Sequence, residues 1–84
     1  MIISWYNEEQ YYRQCEITSM DDIECYPDGE LYAIHIRDRT LFGGILGRFK
    51  VEANRDAAWL DIKEKLDNGA DEFEFRKNFY EKIS

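Results

Sequence analysis

An α+β fold, with a small antiparallel sheet of about four to five strands and one amphipathic helix over roughly 55–67 packed on one face, follows from three features of the sequence. The segment after Asn54 carries apolar residues at helical spacing, with Ala58, Trp59, Ile62 and Leu66 on one side. The segments before it alternate apolar and polar residues at the period of a strand. Glycine-containing turns separate those segments. A chain of 84 residues is one domain, 1–84, and its 13 aromatic side chains supply the bulk that so small a core needs.

In chain order, "MIISWY" reads as a first strand, and "NEEQYYRQCEIT" fits either a short helix or a second strand. "CYPDGELYAIHIR" predicts a hairpin with Pro27 at the first central turn position, followed by a strand over about 30–37. "RFKVEA" predicts a partner strand with Phe49, Val51 and Ala53 inward. The turn between these strands falls at Gly43-Gly44 or Gly47, with Leu41, Phe42, Ile45 and Leu46 as cross-strand neighbours at an apolar tip. Asn54 is the expected helix N-cap and Gly69 the residue just past its end. "DEFEFR" reads as a strand at 72–76 with a short helical or extended tail. The expected core joins Trp59, Ile62 and Leu66 to Ile34, Ile36, Phe49 and Val51.

Charge is the most informative bulk property. The formal net charge is −7, and residues 1–30 alone hold eight acids against Arg13. A net repulsive chain gains no counterion-release affinity for phosphate backbones, so direct nucleic-acid binding is not expected. The middle segment is the exception, with Arg37, Arg39, Arg48 and Lys50. These read as outer residues paired with nearby acids.

Catalytic and cofactor signals fail one by one. "GGILG" lacks the Lys-Ser/Thr of a phosphate loop and opens no predicted helix. His35 is the single histidine and has no nucleophile motif beside it. Cys15, Cys25 and His35 match no zinc spacing, and the cysteines read as small core thiols. "DNGADE" lacks the alternating ligands of a calcium loop. No enzyme, metal or cofactor is expected. No segment has the length and apolarity of a membrane span or the pattern of a signal peptide, so the expected location is cytoplasmic.

The remaining signal is an acidic, aromatic N-terminal third. Glu8, Glu9, Glu16, Asp21, Asp22, Glu24 and Asp28 are interleaved with Tyr11, Tyr12 and Tyr26, and with Trp5 and Tyr6. Tyrosine offers rigid contact area with a polar tip, and carboxylates steer a basic partner. These residues are the expected partner-binding surface. Leu41, Phe42, Ile45 and Leu46 are a possible second contact.

In bulk character the chain resembles the small acidic inhibitors of phages and mobile elements, such as anti-restriction and anti-CRISPR proteins. No motif defines that group, and no residue role is carried over from it. The resemblance implies a non-enzymatic inhibitor of a protein with a basic, nucleic-acid-binding surface, with nucleic-acid mimicry as one route. The alternatives are a toxin-neutralising immunity protein and a structural or regulatory subunit associating through the 41–46 tip.

Overall fold

The computed structural model describes residues 1–37 and 44–81. The fold is α+β, but its strands form two sheets of three rather than one of four or five. The first sheet takes β1 (Ile2–Tyr6), β2 (Tyr12–Glu16) and β6 (Glu72–Glu74) in the order β2-β1-β6. The second is a meander of β3 (Ile23–Asp28), β4 (Leu31–Ile36) and β5 (Gly44–Phe49). The helix α1 (Glu52–Asp67) and a single helical turn, α2 (Lys77–Tyr80), complete the chain.

The division begins after β2. Ile17 is fully buried, and Ser19 then caps a turn of 3-10 helix at Met20–Asp22 by accepting from the Asp21 amide. The Asp22 carboxylate accepts from the Thr18 amide, and the Asp22 carbonyl accepts from the Arg37 amide. The chain therefore leaves the first sheet and enters β3, which pairs with β4 instead of β2. The second side of β1 is taken by β6 in parallel, with Ile3 opposite Phe73.

Inside, residues from both sheets and α1 form one core that includes Ile3, Trp5, Ile17, Ile34, Phe49 and Ile62. Along α1 the buried stripe is Asn54, Ala58 and Ile62, at i, i+4 and i+8, with Trp59 and Leu66 half-buried beside it. The small Ala58 lets the helix approach the second sheet closely.

Several expectations are corrected. Helix α1 starts three residues early, at Glu52, and its N-cap is Val51 without a side-chain cap. Asn54 is buried inside the first turn. Strand β5 ends at Phe49, so Val51 is exposed and outside the core. The β3–β4 turn is Gly29-Glu30, since Asp28 pairs with Leu31, and Pro27 stays inside β3. Gly29 adopts φ +62 at the first central position, as a type II′ turn requires. Gly44 and Gly47 lie within β5 and are not its turn. Leu41, Phe42 and Gly43 lie outside the described residues. The buried tryptophan is Trp5, and Cys25 is exposed while Cys15 is half-buried.

An irregularity in β5 decides where Leu46 points. Ile34 pairs with Gly47 and His35 with Ile45, so Leu46 is the extra residue of a β-bulge. The bulge turns Leu46 into the core, where it is 3% exposed.

Candidate functional site

The structure splits the acidic N-terminal third between two surfaces and a loop. Strand parity gives the first surface. Ile3 and Trp5 face inward, so Ile2, Ser4 and Tyr6 face outward. Register then sets Glu16 and Glu72 on either side of Ile2, Gln14 and Glu74 on either side of Ser4, and Tyr12 beside Tyr6. None of these eight positions is basic. Tyr6 and Tyr12 are 59% and 54% exposed, and their rings meet edge to face at 5.6 Å. Ile2, also exposed, adds an apolar centre between two carboxylates. The result is a sheet face that is both sticky and negative. Arg76, which follows β6, pairs with Glu74 at 3.2 Å at its margin.

The second surface is the outer face of the β3–β4–β5 sheet, and its acids are already engaged. Glu24 pairs with Arg37 and lies 4.0 Å from His35 Nδ1. Tyr26 meets the His35 ring edge to face. Arg48 reaches Asp28 at 2.6 Å through Nε and also holds Glu8 from the β1–β2 turn. The Arg48 guanidinium is accordingly held above its ordinary pKa by its hydrogen bonds to Asp28 and Glu8. Of the basic stripe, Arg37 and Arg48 thus pair with local acids, while Arg39 lies outside the described residues.

The connecting turn is built by Asn7, whose Oδ1 accepts from the amides of Glu9 and Tyr11 at 3.0 and 2.9 Å. Gln10 takes φ +68, the left-handed conformation expected at the last residue of a three-residue hairpin loop, Glu8 to Gln10, closed by Asn7 and Tyr11. Glu8, Glu9 and Tyr11 are consequently displayed at the exposed tip. Asp21 is exposed on the 3-10 turn, apart from both faces, and Asp22 is half-buried.

Of the apolar second contact, Leu46 is a core residue and has little surface to offer a partner. Ile45 is half-buried opposite His35. Sequence reasoning missed Ile2, Glu72 and Glu74. The period of "IISWY" pointed to the first, but the two glutamates join the face only through the parallel β1–β6 pairing.

An open groove of about 940 Å³ lies between the β1–β2 turn and α2, with Leu46, Gly47 and Phe75 among its lining. Its charges are matched from within: Glu8 by Arg48, Arg76 by Glu74 and Lys77 by Glu81. The charges lining this groove therefore leave little net field within it. Among the described residues, no group of three or more His, Cys, Asp or Glu could hold a metal ion. Partial desolvation by its neighbours pushes the Cys25 thiol up, partly offset by Arg55, which is opposite to the direction a nucleophilic thiolate requires. Among the described residues, no helix is long and apolar enough to cross a membrane. Compared with known proteins, the chain matches no family model, no curated protein and no solved structure.

Proposed function

We propose that this chain is a non-enzymatic inhibitor that docks on a basic, nucleic-acid-handling protein through the outer face of the β2-β1-β6 sheet. One observation carries the reading. Tyr6, Tyr12 and Ile2 sit exposed among Glu16, Glu72 and Glu74, on a face without a basic position. Aromatic anchors supply contact area, and carboxylates supply steering toward positive charge, Glu16 and Glu72 without an ion pair among the described residues and Glu74 sharing Arg76 at the margin. By contrast, Glu8, Glu24 and Asp28 already satisfy arginines of the same chain, and they contribute less net field. The partner class is a bacterial defence nuclease of the restriction or CRISPR type, as the bulk resemblance to small anti-defence proteins suggests.

The test is binding to a panel of purified basic restriction and CRISPR nucleases, with duplex DNA as competitor. Glu16→Gln/Glu72→Gln/Glu74→Gln is compared with Glu8→Gln/Glu24→Gln/Asp28→Asn. The first set is expected to weaken binding about tenfold at low salt, and the second much less. Added salt should weaken the wild-type complex, and DNA should displace it if the sites overlap. Equal losses from both sets would move the interface off this face. No binding to any basic nuclease, with both sets folded, would overturn the partner class.

A further inference from the structure

The outer edge of β2 has a property independent of the face described above. Met1 and Ile17 exchange both backbone hydrogen bonds, at 3.0 and 2.9 Å, and the Asn7 amide donates to the Tyr11 carbonyl. Antiparallel ladders alternate, so the odd residues of β2 spend their backbone groups on β1. Tyr12, Gln14 and Glu16 therefore point their N–H and C=O groups away from the sheet. β2 is terminal in its sheet. Among the described residues, the contact those groups make is a weak one, from the Cys15 thiol to the Glu16 carbonyl at 3.5 Å.

The other edges are blunted. β3 contains Pro27, which has no donor. β5 carries the bulge at Leu46, which breaks the regular row of groups along that strand. β6 is three residues long. β2 carries neither proline nor lysine across its five residues.

We infer that a second copy of this chain adds to this edge, β2 against β2, antiparallel about a twofold axis at Gln14. The strand is complementary to itself in that register. Gln14 faces Gln14 across the axis, Tyr12 faces Glu16, and Arg13 faces Cys15. No like charges stand directly opposite, and every outward N–H meets an outward C=O. The contact is isologous and closes at two chains, giving a continuous six-stranded sheet. Because each chain carries −7, association strengthens as salt screens the repulsion. That sign is opposite to the one expected for capture of a basic partner, so the two readings fail separately.

Sedimentation equilibrium of the full chain over about 10 µM to about 1 mM tests this, the range in which so small an interface associates. The average mass should rise from one chain toward two, and at lower concentration in higher salt. Gln14→Pro removes an outward donor without touching the β1 ladder and should weaken the dimer about tenfold or more. Gln14→Glu sets two carboxylates across the axis and should weaken it at low salt, with recovery in high salt. Circular dichroism checks that each variant is folded, and if the proline variant is not, Gln14→Glu decides. A single chain at every concentration and salt overturns the inference, leaving the edge to another protein's strand. So does a dimer indifferent to Gln14→Glu at low salt.

Discussion

The indole of Trp5, on the central strand of the first sheet, lies against Gly44, on the edge strand of the second. A Cβ at position 44 would fall inside the contact distance of the ring. The missing side chain is what lets residues of the two sheets meet here in a shared core. Gly44→Ala must therefore move Trp5 or the strand, and should cost about 1–3 kcal/mol as overpacking. A urea midpoint that falls at unchanged m-value is the expected reading. No change in midpoint would mean that the sheets separate freely.

Trp5 and Trp59 divide what the sequence assigns to Trp59 alone. Trp5 is 3% exposed, whereas Trp59 packs half-buried on the rim of the core. Trp5→Ala should cost about 3–5 kcal/mol, a large share of the stability of so short a chain. Trp59→Ala should cost roughly half as much. Denaturant titration of the two variants side by side checks the order, and the reverse order would contradict the packing.

Alkaline stability should depend on one hydroxyl. Tyr80 is buried, and its O–H donates to Asp61 Oδ2 at 2.6 Å. Burial first, and then the Asp61 carboxylate, push its pKa well above the ordinary value. A raised phenol keeps its proton in the folded chain after the unfolded chain has lost it. Its contribution is therefore complete below about pH 10 and is lost as pH rises beyond that value. Tyr80→Phe should lower stability at neutral pH by roughly 1–2 kcal/mol and flatten the decline on the alkaline side. Melting curves across pH check both the loss and the slope.

Arg48 ties the β1–β2 turn to the second sheet through Glu8 and Asp28. The group is 28% exposed, so solvent screens the attraction. Arg48→Met, which keeps the aliphatic stem, should cost less than about 1 kcal/mol, with the difference from wild type shrinking in high salt. A larger, salt-independent loss would indicate a buried network in place of a surface clasp.

Much of the local architecture is legible before any coordinates. The α1 periodicity, the left-handed Gly69 at its end and the alternation of "IISWY" each arise among residues a few positions apart. Asn54 shows where that reasoning slips. A polar residue heading an apolar stripe reads as a cap, yet it is the first member of the buried stripe itself. Its Oδ1 has no partner among the described residues. Pro27 misleads in a related way, because an edge strand such as β3 tolerates the missing donor that would bar proline from a central one.

The candidate surface was legible only in part. Tyr12 and Glu16, which the composition points to, belong to it, while Glu24, Tyr26 and Asp28 stand on the other sheet among arginines. The amino-acid order alone settles the α1 periodicity, the alternation of the first strand, the net charge of −7 and the wealth of tyrosine. The fold settles which carboxylates gather on one face and which meet arginines, by placing β6 beside β1 and Arg48 beside Asp28. The reason is the weak dependence of loop closure on length. Joining strands some seventy positions apart costs little more than joining near ones, so spacing along the chain leaves no mark of which strands will meet.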